Sequence, residues 1–118
     1  MRPWIAVDLD GTLAHYVGHE GHDVIGDPIP EMKARVLKWI EEDMDVRIFT
    51  ARVSGHDEAQ KASAKFYIKK WLEVNGFPDL DITCCKDYAM VELYDDRAVQ
   101  VEFNTGKLVN GTTKDEGS

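Results

Sequence analysis

Short apolar runs divide the chain into segments of similar kind. These runs are only four or five residues long, which favours buried strands over helices. They predict strands over residues 4–7, 46–49, 81–85 and 91–94. Residues 98–103 alternate between apolar and polar positions, so a further strand is predicted there, followed by a turn at 104–106 and a last short strand.

Two longer stretches between these runs have helical periodicity. In residues 31–43, apolar side chains recur every three or four positions, so one face of a helix there is buried. A second helix is predicted from the N-cap residue Asp57 to residue 75, because Gly76 supplies a stop signal. Strands that alternate with helices pair in parallel, so we predict an α/β fold with a mainly parallel sheet.

The composition suits one ordinary globular domain, predicted over residues 1–110. Hydrophobic residues make up 43% of the 118-residue chain, and no apolar run approaches the roughly 20 residues that a membrane span needs. Cys84 and Cys85 are adjacent in a predicted strand, where a bridge between them would be strained, so we expect reduced thiols and a cytoplasmic location. Residues 111–118 are small and polar and predict a flexible tail.

The formal net charge of −8 limits the possible partners. Nucleic acid repels an acidic chain, so general coating of DNA or RNA is excluded as a function. A basic stripe on the second predicted helix has two interpretations, a solvated face and a docking face for a polyanion; its members are Lys61, Lys65 and Lys69. Three loop histidines are interpreted as solvated side chains or as contacts to substrate or metal; they are His15, His19 and His22.

Polar side chains occupy corresponding places along the chain, just after each apolar run. They are Asp8 and Asp10 after the first run, Thr50 and Arg52 after the second, Lys86 after the third, and Asp95 and Asp96 after the fourth. In an open parallel sheet these strand ends lie side by side at the edge where ligands bind. We therefore expect these side chains to form a single site.

Several carboxylates in a small space repel one another, and a hard divalent cation relieves that repulsion. Mg²⁺ prefers a few carboxylates together with water and substrate oxygens. The hydroxyl of Thr50 and the ammonium group of Lys86 suit an anion with several oxygens, which indicates phosphate. The predicted Mg²⁺ ligands are Asp8, Asp10, Asp95 and Asp96.

Asp8 and Asp10 have the spacing for two roles in one phosphoryl transfer. Gly11 permits a sharp turn after them, so both carboxyl groups can address one phosphorus atom. Asp8 is the candidate nucleophile that forms an aspartyl-phosphate. Asp10 is the candidate general acid for the leaving oxygen and the general base for the water that follows.

With these residues in place, the chain resembles the haloacid dehalogenase (HAD) superfamily of phosphohydrolases over most of residues 4–103. The family's first motif stands here as Asp8-Leu9-Asp10-Gly11-Thr12, and its fourth as Asp95-Asp96. The second and third motifs match Thr50 and Lys86.

The resemblance implies a Rossmann-like three-layer sandwich and assigns a role to each matched position. Asp8 is the nucleophile and a metal ligand, and Asp10 is the general acid and base, with its backbone carbonyl also on the metal. Thr50 and Lys86 hold the phosphoryl group. Asp95 is the main fourth-motif ligand and Asp96 an auxiliary one. The candidates for substrate contact are Gly11, Thr12, Arg52 and Arg97.

The two places where HAD enzymes insert a cap domain hold little sequence here. Residues 13–27 suffice for a flap, and residues 51–80 are used by one loop and one helix, so we expect no cap. Within the superfamily, Thr50-Ala51-Arg52 and Asp95-Asp96-Arg97 are similar to the phosphatase part of polynucleotide kinase-phosphatases and to small phage or bacterial relatives. This implies a phosphorylated substrate, with nucleotides or nucleic-acid ends as candidates.

Three alternatives remain open from the sequence. One is a phosphatase of small metabolites such as sugar or cofactor phosphates. Another is a phospho-accepting regulatory domain, although a receiver domain has its acidic pair before the accepting aspartate. The third is a non-catalytic HAD-like module. The sequence leaves the oligomeric state open.

Overall fold

The computed structural model describes residues 2–18, 21 and 23–110. Its elements follow in the order β1 (Trp4–Asp8), α1 (Pro30–Glu41), β2 (Asp45–Phe49), α2 (Glu58–Val74), β3 (Ile82–Thr83) and β4 (Met90–Tyr94), with a short 3-10 helix (Ala51–Val53) before α2. The predicted flexible tail at 111–118 and two loop histidines, His19 and His22, lie outside the described residues.

All strand pairs in the sheet are parallel, in the order β3-β2-β1-β4. The chain runs from β1 through β2 to β3 in one direction and then returns to place β4 on the other side of β1. The neighbours β1 and β4 therefore form a topological switch point, and open α/β sheets bind ligands in the crevice at the carboxyl ends of such strands. The predicted α/β fold with a parallel sheet is confirmed.

Local signals set both ends of α2 and the start of α1. The Asp57 side chain accepts hydrogen bonds from the backbone N–H groups of Ala59 and Gln60, which caps the start of α2. Gly76, at φ +83°, follows the end of the same helix. α1 begins at Pro30, whose fixed φ suits a first helical turn. In the described ranges, both helices are too short or too polar to span a lipid bilayer.

One face of the sheet forms the core with both helices. Ile5 and Val7 of β1 and Ile48 of β2 pack in one buried cluster with Val36 of α1 and Ile68 of α2. Ile5 and Val7 point to the same face because side chains alternate along a strand. This packing holds the carboxyl ends of β1 and β2 in a fixed relation, which the site requires.

On the opposite face of β1, Trp4 contacts β2 and the connection between β3 and β4. Trp4 is buried, its ring centroid lies 4.5 Å from the guanidinium carbon of Arg47, and its indole N–H donates to Asp87 Oδ1 at 2.8 Å. Asp87 belongs to the connection between β3 and β4. The described residues thus place both helices against one face of the sheet, and the third layer that the resemblance implied stays a prediction.

Two predicted β regions differ from the structure. The strand predicted at 81–85 is limited to Ile82–Thr83, because the Thr83 hydroxyl accepts the N–H of Cys85 and the chain turns away. The strands predicted after residue 97 are reduced to an isolated antiparallel bridge between Val101 and Leu108. Between β1 and α1, and between β2 and α2, the described part of the chain holds no insertion of the size of a cap domain.

Candidate active site

A tight turn after β1 separates the two aspartates of the first motif. The backbone carbonyl of Leu9 accepts hydrogen bonds from the N–H groups of Leu13 and Ala14, at 3.0 and 2.9 Å, and the Leu9 side chain is fully buried. The chain therefore reverses around Leu9 as an anchor. Asp8 stays at the end of the strand, and Asp10 projects from the turn beyond it.

Three carboxylates meet at the switch point between β1 and β4. Asp8, Asp95 and Asp96 each offer one oxygen atom, and these three atoms all lie within 4.8 Å of one another. Asp8 and Asp95 are partly buried, and Asp96 is exposed. The set consists of hard, anionic oxygen donors with an opening to solvent, so it fits a cation such as Mg²⁺. Of the four predicted ligands, the Asp10 carboxylate is the one that the structure leaves out of this cluster.

Thr12 ties the two halves of the cluster together. Its hydroxyl oxygen accepts the backbone N–H of Asp96 at 3.1 Å and lies 3.4 Å from Asp8 Oδ2 and from Asp96 Oδ1. Thr12 is 9% exposed and does not line the open cavity that Asp8, Asp95 and Asp96 border. Thr12 therefore links the end of β1 to the residues after β4. The sequence had predicted a contact to substrate for this residue.

The cluster changes the protonation of Asp8. Partial burial, the negative charge of Asp95 and a hydrogen bond with Asp96 raise the pKa of Asp8 to about 7. A raised pKa means that the ionised form of the carboxyl is disfavoured where it stands. Without a cation, Asp8 therefore keeps its proton up to near-neutral pH.

This shift predicts how stability depends on pH in metal-free protein. Between pH 3.8 and about 7 the folded state holds a proton on Asp8 that the unfolded chain has released. The stabilisation from this proton is complete below pH 3.8 and is lost as the pH rises through about 7. In EDTA at pH 8, the free energy of unfolding of Asp8→Asn should be about 2 kcal/mol higher than that of wild type, because the neutral amide is not repelled by Asp95. The difference is smaller than the full pKa shift implies, since solvent screens part of the repulsion.

Urea unfolding followed by circular dichroism at pH 4 and pH 8 measures this difference. The two proteins should converge at pH 4, where Asp8 is protonated in the folded state. A constant difference between variant and wild type at both pH values would contradict the assignment of the shift to Asp8.

Gly11 allows the close approach of the turn to Asp96. It has φ +87°, and a Cβ atom there would lie 2.8 Å from Asp96 Oδ2 and 3.1 Å from its Cγ. Gly106 has a similar φ of +77° with nothing within 4 Å of a built Cβ, so it serves as a matched control. Gly11 lines the cavity, and its predicted contact to substrate stays a prediction.

We expect Gly11→Ala to lower the free energy of unfolding by about 2–3 kcal/mol and Gly106→Ala by about 1 kcal/mol. Both variants carry the cost of an alanine at positive φ, and only the first adds the overlap with Asp96. Chemical denaturation of the three proteins measures the effect. Equal losses in the two variants would show that the contact with Asp96 has no energetic weight.

The Asp10 carboxylate faces Arg52 in a two-point salt bridge. Arg52 Nε donates to Asp10 Oδ2 at 2.7 Å, and Nη2 donates to Oδ1 at 2.8 Å. The guanidinium group and the carboxylate are planar and complementary, so this pair is strongly directional. The pair explains why the expected convergence of four carboxylates becomes a cluster of three with Asp10 beside it.

Thr50 lies at the end of β2, opposite the cluster. It is 2% exposed, and its hydroxyl oxygen accepts the backbone N–H of Arg52 at 3.1 Å, which starts the short 3-10 helix. A hydroxyl that accepts through one lone pair keeps its own proton for donation. Thr50 can therefore donate to an anion in the cavity.

These side chains line a cavity of about 800 Å³ at the carboxyl edge of the sheet. Its polar walls combine acidic, hydroxyl and guanidinium groups; the lining includes Asp8, Asp10, Thr50, Arg52, Asp95, Asp96 and Arg97. The structure thus brings together seven of the site residues predicted from the sequence, besides Gly11. The size and polarity suit a small charged ligand or the end of a larger one.

Lys86 is the predicted site residue that the structure places elsewhere. It is exposed in the loop after β3 and does not line the cavity. β3 ends at Thr83, so the chain has already left the sheet edge at Lys86. A role for its ammonium group at the phosphoryl group stays a prediction.

The structure also shows where the lysine stripe and His15 lie, which the sequence left open between a solvated and a ligand-binding interpretation. Lys61 pairs with Glu58 at 2.7 Å, and Lys69 pairs with Asp79 at 2.6 Å, so two members of the basic stripe have acidic partners on the surface. His15 is exposed and does not line the cavity. These placements favour the solvated interpretation.

Sequence reasoning missed two aromatic side chains and a serine in the cavity wall. Tyr16, Phe49 and Ser54 line the cavity. Phe49 stands directly before Thr50 at the end of β2, a position from which it could have been inferred. Tyr16 carries no such signal, because it lies in an irregular loop after the first motif.

Comparison of the chain with family models, with curated proteins and with solved structures finds no match.

Proposed function

We propose that this chain is a Mg²⁺-dependent phosphatase of the HAD type that works through an aspartyl-phosphate on Asp8. The observation that carries the proposal is the meeting of Asp8 with Asp95 and Asp96 at the switch point of a parallel sheet, within 4.8 Å and at the wall of an open cavity. The order of the motifs along the chain, which resembles that of HAD phosphohydrolases, supports the same conclusion.

Asp8 and Asp10 divide the chemistry between them. A carboxylate oxygen of Asp8 forms a bond to phosphorus while the bond from phosphorus to the ester oxygen breaks, and Asp10 supplies the proton that the leaving oxygen takes up. Asp10 then removes a proton from a water molecule that attacks the same phosphorus. Inorganic phosphate leaves, and the Asp8 carboxylate is regenerated.

Thr50 and the cluster provide the electrostatics for this transfer. The Thr50 hydroxyl donates to a phosphoryl oxygen, because its acceptor side is already used by the Arg52 N–H. Asp8, Asp95 and Asp96 would hold Mg²⁺, with the Asp10 carbonyl as a further ligand implied by the resemblance. Bound Mg²⁺ supplies positive charge that offsets repulsion between the attacking carboxylate and the phosphoryl oxygens.

The cavity walls favour nucleotides and phosphorylated nucleic-acid ends as substrates. The aromatic residues Tyr16 and Phe49 and the positively charged Arg97 line the same cavity as Asp8. Aromatic faces stack on nucleobases without regard to sequence, and a guanidinium group recognises a second phosphate or a carboxylate. Small sugar phosphates would use the charged groups and leave the aromatic surface uncovered.

A substrate panel with Mg²⁺ tests the proposal. It contains nucleoside monophosphates, oligonucleotides phosphorylated at the 3′ or the 5′ end, sugar phosphates and phosphoamino acids. We expect phosphate release, with higher kcat/KM for the nucleotide or oligonucleotide members. Faster turnover of sugar phosphates would favour a small-metabolite phosphatase. A phosphorylated protein that persists for minutes, with no phosphate release from any substrate, would contradict the proposal in favour of a phospho-accepting domain.

A further inference from the structure

Arg52 joins three parts of the candidate site through its side chain and its backbone N–H. Its guanidinium group binds both carboxylate oxygens of Asp10, and Nη2 also donates to the backbone carbonyl of Val24 at 2.9 Å. Nη1 lies 3.4 Å from the carbonyl of Gly21. The backbone N–H of the same residue donates to the Thr50 hydroxyl oxygen. Arg52 therefore connects the first motif, the loop before α1 and the end of β2.

The hydrogen bonds of the Arg52 side chain are directed at protein atoms. Among the described residues, four side-chain hydrogen bonds of Arg52 point at protein oxygens, and its side chain is 14% exposed. A residue that binds the phosphoryl group of a substrate needs donors that face the substrate. In the described part of the chain, the donors of Arg52 in these four bonds face Asp10 and two backbone carbonyls, so we place its effect on the reaction through Asp10.

We infer that Arg52 is a positioning residue, which fixes the Asp10 carboxylate against the loop at Val24 and acts on catalysis through Asp10. This replaces the direct substrate contact expected from the sequence, and it rests on the proposed function of Asp10. The two-point pairing leaves one lone pair on each Asp10 oxygen for the proton that the reaction moves. A large part of the rate enhancement by a catalytic carboxylate depends on its orientation, because proton transfer requires hydrogen-bond geometry.

The identity of the residue supports this assignment. A guanidinium group presents its N–H donors in a rigid fork, so it can hold a carboxylate at two points and a carbonyl at a third. A lysine ammonium group carries the same charge but cannot reproduce the fork. Arg52→Lys therefore separates charge from geometry.

The test measures kcat, KM and inhibition by inorganic phosphate for four proteins: wild type, Arg52→Lys, Asp10→Asn and the double variant. Arg52→Gln is a second variant, in case the lysine is poorly accommodated. Arg35→Lys is the matched control, since Arg35 lies exposed on α1 and outside this cavity. Thermal unfolding of each variant shows whether the fold is retained.

We expect Arg52→Lys to lower kcat by about 10- to 100-fold with the phosphate inhibition constant within twofold of wild type. In the Asp10→Asn background the same change should cost less than about threefold, since residues that act as one unit are not additive. A rise of tenfold or more in KM and in the phosphate inhibition constant, additive with Asp10→Asn, would overturn the inference and make Arg52 a substrate ligand.

A second readout does not depend on activity. The carbonyl bond to Arg52 holds the backbone at Val24, so hydrogen exchange at the Val24 and Ile25 amides, measured by NMR, should be faster in Arg52→Lys and unchanged in Arg35→Lys. Unchanged exchange in Arg52→Lys would overturn the positioning role. If wild type releases no phosphate from any substrate, the proposed function fails while this measurement still decides whether Arg52 holds the loop.

Discussion

Asp8→Asn should abolish phosphate release, with kcat/KM at least ~10³-fold below wild type on the best substrate of the panel. An amide oxygen is a poor nucleophile and cannot form the aspartyl-phosphate. The change keeps the size of the side chain and relieves repulsion within the cluster, so the variant should fold at least as well as wild type. Phosphate release and the intact mass of protein quenched in acid during turnover measure the two parts of this result.

A matched aspartate outside the site serves as the control. Asp79 is exposed and pairs only with Lys69 on the surface in the described contacts, so Asp79→Asn should keep its activity within about twofold. The quenched wild-type protein should carry a phosphoryl group at Asp8, and the Asp8→Asn protein should carry none. Activity of Asp8→Asn at the level of wild type would remove Asp8 from the mechanism.

Removal of Mg²⁺ should have an effect of similar size. In excess EDTA the wild-type rate should fall at least ~10³-fold and return when Mg²⁺ is added, since three converging carboxylates cannot all ionise near an incoming phosphate without a cation. Asp95→Asn should raise the Mg²⁺ concentration for half-maximal activity about tenfold or more, because one of three anionic donors is lost. A titration of rate against Mg²⁺ measures both results.

Binding can also be followed without substrate. At pH 8, Mg²⁺ should raise the Tm of wild type, since a ligand that binds only the folded state stabilises it. Asp95→Asn should show a smaller rise, and Asp79→Asn a rise equal to that of wild type. Full activity in EDTA, with a Tm that does not respond to Mg²⁺, would eliminate the metal from the proposal.

The sequence predicted most of the fold because its strongest signals are local. The long helix was expected from the Asp57 cap to the stop at Gly76, and the structure has it at Glu58–Val74. The four strands were found because each forms an apolar run of strand length. The grouping of the polar residues was inferred from topology, since parallel strands bring their carboxyl ends to one edge of the sheet.

The sequence could not predict features that depend on pairs of distant side chains. Asp10 and Arg52 are 42 positions apart, and no local pattern indicates that one guanidinium group holds both oxygens of that carboxylate. Thr83 ends β3 early through a hydroxyl bond to Cys85, which carries Lys86 away from the cavity. Strand periodicity shows which face a residue occupies, but not where the strand ends.

The position of β4 beside β1 has a consequence for how the protein matures. Asp8 precedes its partners Asp95 and Asp96 by 87 and 88 residues along the chain. A nascent chain that ends before β4 contains the segments of β1 to β3 and of both helices, yet it holds a single carboxylate of the cluster. The three-carboxylate cluster therefore forms only when β4 pairs with β1, so a chain synthesised only as far as β3 lacks the proposed metal site.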